Sequence, residues 1–162
     1  MNEISELANI SPLADIEVSS RGSKLIVGDH SMIDAFVKIK FCGGLGDIQI
    51  GQYCSINSGN VLYSGNGIRI GNNVLVAANC TFAPTNHEYR DRTKAIKDQG
   101  FMPSKGGIIV EDDVWIGANV TLVDGSIVKK GCVIGAGSLV RGETVPYGIY
   151  AGTPARLIGM RE

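Results

Sequence analysis

The chain has 162 residues, enough for one domain with its own core, and a formal net charge of −1. That balance argues against a nucleic-acid-binding surface. No apolar run approaches the roughly 20 residues of a membrane span, and 22 glycines against 5 prolines point to many tight turns rather than a low-complexity chain.

Residues 1–23 read as an N-terminal arm with a possible partial coil. Their start, MNEISELANISPLAD, is mildly acidic and has no secretory h-region. From residue 24 a six-residue beat takes over. Apolar side chains fall at Val27, Ile33 and Ile39, then at Ile50, Ile56 and Leu62, then at Ile70, Val76 and Phe82. The beat stops after Phe82 and resumes at Val110, Ile116 and Leu122, followed by Val128, Ile134 and Val140. The residue four places after each beat is usually small or β-branched, as in Val114, Val120, Ser126, Cys132, Ser138 and Thr144.

Neither a helix, with its spacing near 3.6, nor an isolated strand, with its spacing of 2, explains a period of six. Short parallel strands stacked coil on coil do. Blocks of three beats start at residues 27, 50, 70, 110 and 128, so against an 18-residue coil the extra residues fall between blocks. The expected fold is therefore an all-β, three-sided parallel solenoid of about five to six coils, spanning residues 24–147. Insertions leave at corners, Gly or Asn turns the corners, and residues 148–162 form a C-terminal segment.

The longest insertion begins at TNHEYR. His87, one of two histidines, stands at its root, and residues 88–109 (EYRDRTKAIKDQGFMPSKGGII) leave the prism with five Lys/Arg and three Asp/Glu. A polar excursion of this length is often functional. An imidazole there is able to accept a hydroxyl proton. Glu88 or a backbone carbonyl would orient its second nitrogen. The bland reading is a solvated histidine beside a tolerated loop.

The Val/Ile/Leu-Gly hexads, VWIGANVTL, VIGAGSLV and the closing AGTPARLIG resemble the hexapeptide-repeat acyltransferases over roughly residues 24–160. The resemblance implies a left-handed parallel β-helix. It also implies acetyl-CoA as acyl donor, and a homotrimer with active sites between subunits. His87 matches the family's general base. By motif match, Ala118 and Ala136 present backbone to the pantetheine arm, and Arg141 and Arg156, with Arg161, Lys129 and Lys130 behind them, meet its phosphates. Arg141-Gly142 replaces the Thr-Lys of relatives. Asn57 aligns with an asparagine that holds the acceptor sugar, although the Tyr63-Ser64-Gly65-Asn66 segment lacks the carboxylates of galactoside-type enzymes. Trp115 faces outward next to Ile116, as an interface or ligand contact. Gln99, in a loop like those of polysaccharide O-acetyltransferases, either binds a sugar hydroxyl or shapes the loop.

The implied function is transfer of an acetyl group to a sugar hydroxyl, in surface polysaccharide synthesis. The alternatives are an N-acyltransferase on an amino sugar or nucleotide sugar, and a non-catalytic structural β-helix. Three histidine ligands would be needed for a zinc enzyme of this fold, such as a γ-class carbonic anhydrase, and the chain has two, so no metal is expected. His30 reads as surface structure. Cys54, Cys80 and Cys132 sit at fourth positions and read as packing. With Cys42 they show no CxxC, which suggests a reduced, cytoplasmic chain.

Overall fold

The computed structural model describes residues 1–162. Coil 1 is β1 (Glu3–Ile4), β2 (Asn9–Ile10) and β3 (Asp15–Ile16). Coil 2 is β4 (Leu25–Val27), β5 (Met32–Ile33) and β6 (Lys38–Lys40). Coil 3 is β7 (Ile48–Ile50), β8 (Ser55–Ile56) and β9 (Val61–Tyr63). Coil 4 is β10 (Ile68–Ile70), β11 (Leu75–Val76) and β12 (Thr81–Ala83). After the long loop, coil 5 is β13 (Ile108–Val110), β14 (Trp115–Ile116) and β15 (Thr121–Val123). Coil 6 is β16 (Ser126–Val128), β17 (Val133–Ile134) and β18 (Leu139–Val140). β19 (Gly148–Gly152) extends the second face, and β20 (Ala155–Met160) folds back on it antiparallel.

Each coil contributes one strand to each of three sheets. The first face runs β1-β4-β7-β10-β13-β16, the second β2-β5-β8-β11-β14-β17-β19-β20, and the third β3-β6-β9-β12-β15-β18. Strands of two or three residues would not persist alone. Here their backbone groups pair with the coils above and below, in one register throughout. Phe82, for example, sits between Leu62 and Leu122. All fifteen beat residues from Val27 to Val140 are at most 2% exposed and belong to one core cluster.

The first two corners are turned by left-handed residues at repeating positions. Asn73, Asn79 and Asn119 serve as expected, but His30, Phe36, Tyr53, Asp113 and Tyr147 also adopt φ between 55° and 63°. His30 stacks on Tyr53, centroids 4.9 Å apart, on the first corner. The one helical piece is a single 3₁₀ turn at Ile96–Asp98, and no helix is long and apolar enough to cross a membrane.

Two boundaries differ from expectation. Residues 1–23 hold a complete coil: Ile4, Ile10 and Ile16 keep the same beat and pair with coil 2. This coil has a neighbour on one side only, so Ile4 stays 38% exposed. At the other boundary, Ile108 and Ile109 are strand rather than loop, because they pair with Ile68 and Arg69.

Candidate active site

The long loop leaves from the third corner, after β12, and its two ends are clamped together. The Met102 N–H donates to the Asn86 carbonyl at 2.8 Å, and the Glu88 N–H donates to the Gly100 carbonyl at 3.0 Å. His87 thereby faces Phe101 across a short antiparallel bridge, ring centroids 4.7 Å apart and planes at 42°. The returning segment is fixed by Asp124, whose carboxylate accepts the N–H groups of Lys105 (2.8 Å) and Gly107 (2.9 Å).

Inside the loop the polar groups largely satisfy one another. The Gln99 amide donates to the carbonyls of Asp91 (2.8 Å) and Lys94 (3.1 Å) and accepts the Asp91 N–H (3.0 Å). Of the two roles expected of Gln99, its hydrogen bonds are those of loop closure. Glu88 accepts from the Arg90 guanidinium at 2.8 and 2.9 Å and from the backbone of Tyr89 and Arg90. The Arg90 hydrogen bonds push its carboxyl down to about 2. Glu88, one of the two expected orienters of His87, is thus engaged with Arg90 instead, and Phe101 packs on the imidazole ring.

His87 is exposed and stands between two depressions. On the C-terminal side lies a groove of about 840 Å³ lined by Asn86, Tyr89, Met102, Lys105, Asp124, Leu139 and Arg141, among others. On the N-terminal side lies a recess of about 310 Å³ between Cys42, Tyr63, Pro84, Thr85 and Phe101. Nothing in the sequence pattern marks Lys105, Tyr63 or Phe101 as site residues. Each sits at or beside a third corner, where no periodic signal marks a residue.

The structure divides the remaining sequence-predicted residues between two edges. Arg141 lines the groove beside His87, and together with Arg156 it lines a smaller pocket further toward the C-terminal end. Asn57, Ala118 and Ala136 lie on the second corner, one face away. Asn57 Nδ2 donates to the Val76 carbonyl (2.9 Å), and the Gly137 N–H donates to the Ala118 carbonyl (2.8 Å). Trp115, 51% exposed, projects from the second face just before that corner. Among the flanking basic residues, Lys129 pairs with Glu111 (3.3 Å) and Glu143 (2.8 Å), and Arg161 with Asp113 (3.0 Å). Cys54, Cys80 and Cys132 are buried at the corners, and burial pushes the Cys54 and Cys80 thiols up, away from reactive thiolates.

A hexad-repeat prism with a polar loop rooted at a histidine defines a class: the parallel β-helices built from six-residue repeats. The profile described as "Bacterial transferase hexapeptide (six repeats)" matches residues 107–142. The chain is 31% identical over 150 residues to a Mycobacterium tuberculosis protein named for acetyl transfer, covering 93% of this chain and 46% of that one. It is 27% identical over 142 residues to an Escherichia coli protein named for O-acetyl transfer in lipopolysaccharide biosynthesis, covering 85% of this chain and 69% of that one. The fold matches that of the N-acyltransferase AntD from Bacillus cereus, solved as a variant with dTDP-4-amino-4,6-dideoxyglucose and coenzyme A. The TM-score is 0.82 at 23% identity, over 99% of this chain and 84% of that one. The chain thus carries the repeat of that profile over residues 107–142, and its solenoid is a left-handed parallel β-helix.

Proposed function

We propose that the chain transfers an acetyl group from acetyl-CoA to a sugar hydroxyl, with His87 as general base, in the building of a surface polysaccharide. The observation that carries this reading is the placement of His87: exposed, clamped against Phe101, and open on one side to a groove bearing Lys105 and Arg141. The likeness to the lipopolysaccharide-related protein supports the substrate class.

The imidazole takes the proton of the acceptor hydroxyl as its oxygen bonds to the thioester carbonyl carbon. The tetrahedral intermediate collapses, the C–S bond breaks, and the imidazolium returns the proton to the leaving sulfur. The products are an acetyl ester and the free CoA thiol, with no acyl-enzyme. Arg141, with Arg156 beyond it, offers cations to the phosphates of the donor.

The division of residues between two edges supports a homotrimer. His87 and Arg141 lie on the third edge, while Asn57, Trp115, Ala118 and Ala136 lie at the second. A threefold arrangement sets the third edge of one copy against the second edge of the next, which would assemble one site from both.

The test is release of free thiol from acetyl-CoA with a panel of neutral glycosides, amino sugars and glycans. Transfer to hydroxyls is expected, and His87→Ala should lower turnover by about 100-fold or more with fold and assembly unchanged. Transfer to amines alone would favour the N-acyltransferase reading. Full activity in His87→Ala would remove the general base.

A further inference from the structure

The two depressions flanking His87 differ in chemistry. The C-terminal groove carries Lys105, Arg141 and Asp124. The N-terminal recess is lined by Cys42, Tyr63, Pro84, Thr85 and Phe101 beside His87, and none of its remaining lining residues is charged. Its volume, about 310 Å³, is at the small end of ligand sites and suits one ring rather than a chain of them. Thr85 Oγ1 donates to the Gly43 carbonyl (3.3 Å), tying the Cys42–Gly43 turn to the wall of the recess.

We propose that this recess seats the acceptor, and that the acceptor is an uncharged pyranose whose apolar C–H face lies against Tyr63 and Phe101. The inference rests on His87 acting as base. Acyl-CoA brings phosphates, and of the two depressions only the groove holds cations. The donor thioester then meets His87 from the groove side, and the hydroxyl to be deprotonated arrives from the other. A uronate or phosphate in the recess would give up hydration to a lining that carries no cation. An aromatic wall gives a sugar ring its contact area at low entropic cost.

Cys42 supplies the handle. It is exposed, whereas the other three cysteines are at most 1% exposed, so a small maleimide modifies the recess and leaves the groove intact. The measurement is saturation-transfer NMR of methyl glycosides on the protein with CoA but no acyl donor, so that no turnover is needed. Neutral methyl hexosides and deoxyhexosides are expected to bind, and methyl uronides to bind at least tenfold more weakly. N-Ethylmaleimide should abolish the signal in wild type and leave that of Cys42→Ser as it was before treatment. Tyr63→Ala should raise the acceptor KM by roughly tenfold, with the acetyl-CoA KM unchanged.

Binding that survives alkylation, or a preference for uronides, overturns the recess assignment even if His87 proves to be the base. Binding that is lost on alkylation, in a protein that transfers nothing to any acceptor, leaves the recess standing and removes the proposed activity. If alkylation blocks butyryl-CoA but spares acetyl-CoA and acceptor binding, the recess holds the donor's acyl chain and the proposal falls.

Discussion

The first two edges of the prism are crossed by four residues in every coil, from Ser5–Ala8 and Ser11–Ala14 through Lys129–Cys132 and Gly135–Ser138. The third edge obeys no such rule: its crossings span residues 17–24, 41–47, 64–67, 84–107 and 124–125. Both kinds of edge join strands of the same stack, so the difference lies in the turns. At the first two, a left-handed residue recurs at one place in each crossing of coils 2 to 6, and corner side chains bond from coil to coil. Asn72 Oδ1 accepts from Gln52 N (2.8 Å) and Asp112 Oδ1 from Asn72 N (2.7 Å). A turn built into such a ladder cannot lengthen alone. The third edge is free to vary, and both depressions around His87 open there.

The sharpest way to break the comparison is an insertion. One glycine added after Asn119, on the second edge, shifts every following side chain by one position and turns Leu122 outward. We expect a loss above about 4 kcal/mol, seen as a collapsed melting transition. The same glycine added between Arg92 and Thr93, on the third edge, should leave the melting temperature within a few degrees.

Side-chain truncation makes the same contrast more gently. Phe82 is fully buried and Phe101 is 52% exposed. Phe82→Ala should cost about 3–5 kcal/mol by urea denaturation. Phe101→Ala should cost under about 1 kcal/mol and act on turnover instead, since it frees the His87 ring. Equal stability losses would contradict the division between edges.

The same contrast explains what could be read from the sequence. The fifteen beat residues were legible because each occupies one rung of a repeating interior, so their identity follows from position. His87 was legible because it marks where the beat fails. Residues 1–23 read from the sequence as an arm with a possible partial coil, although Ile4, Ile10 and Ile16 keep the beat, with Ala8 and Ala14 at fourth positions. Three beats at the end of a stack, with no coil beyond, give a weak pattern. Tyr63, Cys42 and Phe101 were illegible as a group, because they meet through third-edge crossings of different coils whose lengths follow no period. Gln99 fits two roles by residue type alone, and only its bonds to Asp91 and Lys94 tell them apart.

A smaller effect concerns pH within the loop. The Glu88 carboxyl, at about 2 beside Arg90 against an ordinary value of 4.5, is a depressed acid. Its contribution to loop order is complete above 4.5 and is lost as the pH falls through about 2. Carboxyl NMR titration should give a midpoint near the lower value, and Arg90→Met should move it back toward the higher. The core, carrying no such pair, should show no matching change. A Glu88 midpoint at the ordinary value would mean that the Arg90 pairing does not hold the loop.

The smallest expected effect separates two buried serines. On the second edge, Ser138 Oγ donates to the Gly135 carbonyl (2.6 Å) and accepts the Gly152 N–H (3.1 Å), which couples coil 6 to the terminal hairpin. On the third edge, Ser64 is fully buried and its Oγ has no hydrogen-bond partner. A hydroxyl taken out of water without a partner destabilises, whereas one with two partners stabilises. Ser138→Ala should therefore cost about 1–2 kcal/mol, while Ser64→Ala should be neutral or stabilising by up to about 1 kcal/mol. The urea midpoints of the two variants decide it. If Ser64→Ala is as damaging as Ser138→Ala, the third edge is bonded as closely as the second, and its freedom to vary has another cause.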